Sequence, residues 1–508
     1  MSLLRRVTRL ARHTPALAGA AAALLAIAVM ICCDAAADAP PVSVAAPSNP
    51  LSLADAYTEF RRLFDGKQYA AAAPLAQRVA ELTEKELGPT SDDLQVALMN
   101  LATTQYLSSD YVGAEASYLR AIELTEGSGK PRLERLARAN AGLAATYHEG
   151  KRHDLAVQRF ERAVALNRRA EGLLNEHQLP LLDKYADSLT ELGRFEEALQ
   201  VQRYAMRIAE RKYGETDPRL APALEKLGRW YARVGAYEPS RTTLKRAIRI
   251  VETAQGPQSP ELIGPLTALA ECIRLQLLDP AQQRPAAPDA DRASFFHDMP
   301  EPPQFSSMAT AAEGQQALER AAGIVTAHAD SSPLQVADVY TQLGDWFAAR
   351  SQPERALPPY QQAWHAAGKA TFEGKPLVDL LFGKPMLLNY VRPESWNRYG
   401  SRPREEIELR TVLLDVTVTA QGQVRDARVV DDSGDERRAG QTVQAAATAR
   451  YRPRFDNGQP VETQNVSFAQ AWVALLPKPP APAPAPAPPA AAPAPAPDPA
   501  PDKNPQQP

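Results

Sequence analysis

The chain has 508 residues, of which 44% are hydrophobic, so it is long enough for two or three domains with real cores. Its 57 basic and 60 acidic residues give a net charge of −3. This balance argues against nucleic acid as a partner, because a protein that neutralises a phosphate backbone needs an excess of Lys and Arg.

Residues 1–39 have the composition of a signal peptide for export. Four arginines precede an apolar run, and small residues follow it. We expect cleavage after Ala37, which satisfies the A-x-A pattern, and therefore a periplasmic protein. Two alternatives stay open. One is lipidation at Cys32 or Cys33, and the other is an uncleaved anchor, since the apolar run falls only slightly short of the ~20 residues that a membrane-spanning helix needs. We expect contact with a membrane only through such an anchor.

The body of the chain, residues 53–370, repeats with a period of 42 residues. Apolar positions recur at spacings of three and four within each half of the unit, which predicts two helices per repeat. One alignment column holds small residues, which we expect where the two helices approach closely. That column consists of Ala72, Ala114, Ala156, Ala198 and Ser240.

Two segments carry a recognisable repeat motif. Leu227-Gly228-x-x-Tyr231 and Leu343-Gly344-x-x-Phe347 match the L-G-x2-Y core of tetratricopeptide repeats. The chain therefore resembles the tetratricopeptide family, and its period of 42 resembles the kinesin-light-chain type. The resemblance implies a mostly α fold, a superhelical solenoid whose concave surface binds peptides or proteins.

The first helix of each repeat is expected to line that concave surface. Asn100 matches the Asn with which kinesin-light-chain-type repeats hold the backbone of a ligand. The alternative is that these polar residues are simply solvated. The candidate peptide-binding residues are Asn100, Thr103, Arg138, His148, Asp183, Asp187, Lys226, Arg229 and Arg233.

The sixth repeat is interrupted after its first helix. A segment rich in Pro and Asp follows, and a helix over about Met308 to Asp330 has the length of the missing second helix. We interpret residues 280–310 as an insert in the turn of this repeat, after which a seventh repeat resumes. The alternative is two arrays joined by a linker.

The sequence contains no pattern of catalytic residues. It has no HExxH, GxSxG, Gly-rich phosphate loop or CxxC motif, and the spacing of His148 and His153 does not suit a metal pair. Cys272 lies in an apolar helix and is interpreted as a small buried hydrophobe. We therefore predict a protein that is not an enzyme and has no cofactor or metal.

In residues 383–476 the sequence pattern changes from helical spacing to the alternation that is typical of β-strands. Two alternating segments flank a turn at 420–423, an amphipathic helix follows, and a last strand closes the order β-β-α-β. The stretch "YRPRFDNGQPV" (451–461) resembles the TonB C-terminal domain, which implies a small α+β domain that pairs a sheet edge with the box peptide of a receptor. Tyr451 stands in the place of the family's Trp, and Pro453 is shifted.

Together these features predict an exported periplasmic scaffold for protein–protein interaction, with a repeat groove and a TonB-C-like docking module. Its expected partners are proteins or peptides, among them outer-membrane and envelope proteins. The alternatives are a TonB-like energy transducer for outer-membrane transport and an adaptor in envelope assembly or secretion. For the module itself, the alternative to edge binding is a permanent cap on the last repeat. Residues 477–508 form a Pro/Ala-rich tail that we expect to be disordered.

Overall fold

The computed structural model describes residues 52–129, 132–279, 307–372, 374–391 and 407–475. The predicted signal peptide, nearly all of the predicted insert and the Pro/Ala-rich tail lie outside these ranges. Within them, no helix combines the length and the apolar character needed to cross a membrane.

Fourteen helices of the described residues, α1 to α14, pack as seven successive pairs, so the predicted repeat solenoid is confirmed. Three of the first helices are preceded by a single turn of 3₁₀-helix, at Glu176–Gln178, Pro218–Leu220 and Pro260–Leu262. In chain order the bounds of α1 to α14 are Leu53–Asp65, Tyr69–Leu87, Asp92–Leu107, Tyr111–Gly127, Leu133–Glu149, His153–Glu171, Leu179–Glu191, Phe195–Tyr213, Ala221–Arg233, Tyr237–Gln255, Ile263–Leu278, Ser307–Ala327, Pro333–Ala349 and Pro353–Ala367.

The predicted column of small residues lies at the closest helix contacts. All five members are fully buried on second helices, from Ala72 on α2 to Ser240 on α10. The Gly of the repeat motif has the same role, because a Cβ atom at Gly344 would lie 2.3 Å from the ring of Tyr360 on the paired helix. Any larger side chain at these positions would force the helices of one repeat apart.

Ion pairs between neighbouring second helices recur at equivalent places of the repeats. The Glu84 carboxylate lies 2.5 Å from the Arg120 guanidinium. Glu210 and Arg246 form an equivalent pair at 2.8 Å. In each case the two residues are 36 positions apart. The pairs therefore join each repeat to the next at equivalent places of the array.

The same kind of pair bridges the interruption in repeat six. Glu252 on α10 pairs with Arg320 on α12, but these residues are 68 positions apart instead of 36, which is 32 more. Helix α12 also packs against α11 as the second helix of that repeat. This arrangement is what an insertion of roughly thirty residues into one turn would produce.

The C-terminal module follows the last repeat. A short strand pair and a short helix connect them. The module contains a three-stranded antiparallel sheet, with the spatial order Val424–Asp431, Ile407–Val418 and Thr463–Leu475, and the helix Glu436–Ala447 covers it. The predicted order β-β-α-β is confirmed. The bounds are β1 Thr371–Phe372, β2 Lys375–Pro376, α15 Leu377–Phe382, β3 Met386–Asn389, β4 Ile407–Val418, β5 Val424–Asp431, α16 Glu436–Ala447, β6 Arg450–Arg452, β7 Arg454–Asp456, β8 Gln459–Val461 and β9 Thr463–Leu475.

Two further strand pairs lie beside this sheet. Strand β3 pairs with β6, with Leu387 opposite Tyr451. Strands β7 and β8 form a hairpin whose turn is Asn457-Gly458, and both residues have the positive φ that a tight Asn-Gly turn requires. The stretch that resembled the TonB family therefore forms strands outside the three-stranded sheet.

Candidate binding surfaces of the array and the module

Polar contacts tie one first helix to the next, on the side of the array that we expect to be its inner face. Lys184 on α7 donates to the Glu149 carboxylate on α5 at 2.7 Å and to the Tyr106 hydroxyl on α3 at 3.2 Å. Trp230 on α9 donates from its indole N–H to the Thr190 hydroxyl at 2.9 Å. The polar side chains of this face therefore join neighbouring repeats.

Most of the nine predicted groove residues belong to this set of contacts. Asp183 pairs with Lys226, Asp187 pairs with Arg233, and Arg229 pairs with Glu225 and Glu271. These residues lie on α7, α9 and α11, so each pair crosses between adjacent repeats or lies along one helix. Their charges are largely neutralised within the array.

The remaining predicted residues lie nearer the N-terminal end of the array. The Thr103 hydroxyl is hydrogen-bonded to the Tyr118 hydroxyl at 3.1 Å and donates to the Met99 carbonyl at 2.8 Å. Among the described residues, the side chains of Asn100 and Arg138 have no hydrogen-bond or ion-pair partner, and Arg138 is exposed. These two side chains are therefore the ones left open for contact with a ligand.

His148 is half-buried and shares a hydrogen bond of 2.8 Å with the Ser188 hydroxyl on the next first helix. Burial is the largest cause that lowers the pKa of His148, from 6.5 to about 4, and the positive charge of Lys184 acts in the same direction. The carboxylates of Glu149 and Asp187 oppose the shift. The imidazole is therefore neutral at pH 7 and has a structural role between two repeats.

The junction between the array and the module contains a buried ion pair. Arg452 of β6 donates from Nε and Nη2 to the two carboxylate oxygens of Asp345 on α13, at 2.8 and 2.7 Å, and from Nη1 to the Leu381 carbonyl at 2.8 Å. Burial is the largest single influence and lowers the pKa of Arg452, but the charge and hydrogen bonds of Asp345 together with the Tyr360 hydroxyl outweigh it, so the pKa is raised. The guanidinium is thus charged and paired at the junction.

An aromatic cluster continues the same interface. The Phe455 ring of β7 lies 4.9 Å from Phe382 of α15 and 5.7 Å from Tyr360 of α14, measured between ring centroids. The Tyr360 hydroxyl donates to Asp345 at 2.9 Å, so the cluster and the ion pair share a partner. Phe455 and Leu388 belong to the same buried core as the array, which means that the module packs as a continuation of the last repeat.

The two edges of the three-stranded sheet differ in what lies beside them. Strand β9 pairs with β4 along its whole length, and its other edge has no strand partner among the described residues. Strand β5 is the opposite edge, and it is shorter, bulged and mostly exposed. The module attaches to the last repeat through β6 and β7. Strand β6 also reaches the β5 side of the sheet, where Arg450 bridges to Gln423 and the Tyr451 N–H donates to the Gly422 carbonyl.

The described residues also bear on the expected absence of catalysis. Cys272 is fully buried, and burial raises the pKa of its thiol to about 12. A thiol with this pKa is protonated at neutral pH and is therefore not an active nucleophile. No group of three or more His, Cys, Asp or Glu side chains within the described ranges is arranged to hold a metal.

Comparison with protein families agrees with both parts of the chain. Residues 93–169 and 178–253 match the tetratricopeptide repeat family, and residues 403–469 match the family of the Gram-negative bacterial TonB protein C-terminal. The chain thus carries tetratricopeptide repeats and a TonB C-terminal domain. These two kinds of domain indicate a protein-interaction scaffold.

Solved structures similar to this chain have low sequence identity. One contains nearly identical TPR-like repeats of a protein described as a kinesin light chain from Podosopora anserina, with 18% identity, 40% of this chain and 96% of that chain covered, and a TM-score of 0.36. BtubC from P. vanneervenii has 19% identity, 49% and 96% coverage, and a TM-score of 0.33. A tetratricopeptide repeat protein from Parabacteroides merdae has 15% identity, 65% and 97% coverage, and a TM-score of 0.36. No curated protein matches the chain.

The buried ion pair at the junction predicts a large effect of single substitutions. Asp345→Leu leaves the Arg452 charge buried without its partner, and we expect a loss of about 3–5 kcal/mol in the stability of the junction. The double variant Asp345→Leu/Arg452→Met removes both charges and should recover much of this loss. Thermal melts and amide exchange of β6 measure both effects.

A matched control for this pair lies two residues along the chain. Arg454 is only half-buried and has no ion-pair partner among the described residues, so Arg454→Met should leave the melts nearly unchanged. If Asp345→Leu and Arg454→Met lower the melting temperature equally, the ion pair does not hold the junction together.

The lowered pKa of His148 predicts a dependence of stability on pH. The unfolded chain protonates this imidazole below pH 6.5, whereas the folded chain does so only near pH 4, so stability falls as the pH drops through this window. Between pH 7.5 and 5 we expect a loss of about 1–2 kcal/mol from this group. In His148→Gln, which keeps a polar partner for Ser188, urea melts should show a smaller loss over the same pH range.

His177→Gln serves as the comparison, because His177 is an exposed histidine in the 3₁₀ turn before α7, where its Nδ1 lies 2.7 Å from a Glu171 carboxylate oxygen. The smaller loss should be specific to His148→Gln. Equal pH dependence of the wild type and His148→Gln would show that the imidazole is accessible and that its contact with Ser188 is not maintained.

Proposed function

We propose that this chain, which carries tetratricopeptide repeats and a TonB C-terminal domain, is an exported periplasmic scaffold with two protein-binding surfaces. One surface is the concave face of the array. The other is the free edge of the module's sheet, which docks an extended peptide of an outer-membrane or envelope protein. The observation that carries the proposal is that the module is attached to the last repeat through β6 and β7, while the outer edge of β9 has no strand partner among the described residues.

The β9 edge is the better docking edge of the two. A row of backbone donors and acceptors without a strand partner invites an additional strand, and alternate side chains supply selectivity. Strand β9 runs over 13 residues against β4, with a single register shift near its start. Strand β5 has two register shifts and is rich in charged residues, which are features that protect an edge from pairing.

The concave face offers fewer free polar groups than the sequence predicted. Because Asp183, Asp187, Arg229 and their partners are joined within the array, their contribution is to make the groove rigid in advance of binding. The open side chains, Asn100 and Arg138, lie on α3 and α5. We therefore place the first contact of a peptide in the N-terminal half of the groove.

The two alternatives differ in what the junction must do. An energy transducer of the TonB type carries its domain on an extended spacer, whereas here Arg452 and Phe455 hold the module against the last repeat. This arrangement favours the scaffold over the transducer. An adaptor in envelope assembly or secretion would use the same two surfaces, and the identity of the bound protein separates it from a general scaffold.

The edge proposal predicts which amides become protected on binding. Adding an extended receptor-box or envelope-protein peptide to the mature chain should slow amide exchange in β9 and leave β5 unchanged. A peptide with Pro at every second position, which cannot form the ladder of hydrogen bonds, should have no effect. Protection that appears in the helices of the groove and not in β9 would mean that the module is a cap and that binding belongs to the array.

The export part of the proposal rests on the N-terminal sequence. We expect the protein recovered from the cell envelope to lack its first 37 residues, since cleavage after Ala37 satisfies the signal pattern. Intact mass spectrometry measures this directly. A full-length mass would indicate an uncleaved anchor, and a diacylglycerol adduct on Cys32 or Cys33 would indicate a lipoprotein.

A further inference from the structure

A cavity of about 260 Å³ lies where the last repeats meet the module. Its wall is formed by the C-terminal halves of α11 and α13, the first turn of α12 and strand β3. The cavity is thus a joint product of the array and the module. It is separate from the candidate groove residues on α3 to α9 and from both edges of the three-stranded sheet.

Two guanidinium groups line this cavity without a countercharge. Arg274 and Arg350 form no ion pair or side-chain hydrogen bond with any residue that the structure describes. They differ in this from Arg229, Arg233 and Arg452, which all pair with carboxylates on the same side of the array or at the junction. The cavity therefore has a positive charge that no described residue neutralises.

A third polar group in the wall also lacks a partner. Trp346 is 2% exposed, and its indole N–H is buried with no hydrogen-bond acceptor among the described residues. An indole N–H can donate but cannot accept, and the same is true of a guanidinium. Arg274 is half-buried and Arg350 is exposed, so both can meet an acceptor that enters from solvent, whereas the Trp346 N–H is buried and has none among the described residues.

The rest of the wall is apolar. Leu277 and Leu278 come from α11, and Met308, which is 79% exposed, comes from α12. Exposed methionine is typical of surfaces that adapt to the side chains of bound peptides. A volume of about 260 Å³ lies just below the range of drug-sized sites, so it suits one or two side chains of a longer ligand.

We propose that this junction cavity binds an acidic peptide, in which a carboxylate lies next to a large apolar side chain. The carboxylate oxygens accept hydrogen bonds from Arg274 and Arg350, since carboxylate and guanidinium match in charge and in planar geometry. The apolar side chain packs against Leu277 and Met308. Because both the array and β3 form the wall, the site exists only while the module is docked.

The test uses the mature full chain and the peptide acetyl-Asp-Leu-Phe-Glu-amide as the probe. Titration to millimolar concentration should shift the indole N–H signal of Trp346 in the two-dimensional ¹H–¹⁵N spectrum, and Trp346→Phe assigns that signal. Arg274→Gln and Arg350→Gln should each weaken the affinity about tenfold, which is the value of one charge-assisted hydrogen bond. Arg169→Gln changes an exposed arginine on α6 and should leave the affinity unchanged.

The neutral probe acetyl-Asn-Leu-Phe-Gln-amide tests the charge directly and should bind at least about tenfold more weakly. The proposal is overturned if both peptides bind equally, if neither binds at millimolar concentration, or if Arg274→Gln has no effect. It is also overturned if the chain self-associates and Arg274→Gln abolishes this, because the occupant would then be a second copy. None of these outcomes depends on the β9 edge or on the candidate groove residues on α3 to α9, so the test is independent of the proposed function.

Discussion

A guanidinium without access to water needs its countercharge inside the protein, and for Arg452 that countercharge is Asp345 of the last repeat. The strand that carries Arg452 also pairs with β3, and its neighbour Tyr451 donates its backbone N–H to the Gly422 carbonyl in the turn between β4 and β5. The orientation of the whole sheet relative to the array therefore follows from this contact. An isolated module would leave Arg452 unpaired and would expose Phe455, so the module is built to be carried on the array.

The inner face of the array has a related property. Polar residues in a binding groove can contact a ligand or can contact each other, and here most do the second. His148, Asp183 and Asp187 each have a partner on the next first helix, 40 to 46 positions away. Such contacts already restrict the conformational freedom of these side chains, so a ligand has less of it to remove. They favour binding through shape and backbone contacts more than through new ion pairs.

Much of the fold could be predicted because residues at the same place in successive repeats occupy equivalent positions in the structure. Every 42 residues the chain meets the same neighbours, so a small residue such as Ala156 or Ala198 identifies a close helix contact without any structure. Opposite charges one repeat apart could also have revealed an ion pair, since Arg229 and Glu271 are 42 positions apart. An interpretation of each helix face by itself, as either solvated or ligand-binding, does not detect these pairs between repeats.

The junction could not be predicted in the same way, because no period links its residues. Arg452 and Asp345 are 107 positions apart, and they belong to domains of different kinds. Arg452 stood out in the sequence only as part of the departure from the TonB pattern around Pro453. The structure gives that departure a physical reason, since Arg452 and Phe455 are the side chains that face the last repeat.

Rigid attachment of the module has a consequence for how the binding surfaces act together. When two sites are joined by a flexible linker, the second binding event is favoured only to the extent that the linker allows the right separation. Here the core of the array continues through Phe455 into the module, so the separation between the groove and the β9 edge is set by packing. Under the proposed function, a partner whose two segments match that separation would gain affinity from both proposed surfaces, and one whose segments do not match would gain from only one. Selection among partners can thus arise from geometry, even where each surface alone discriminates weakly.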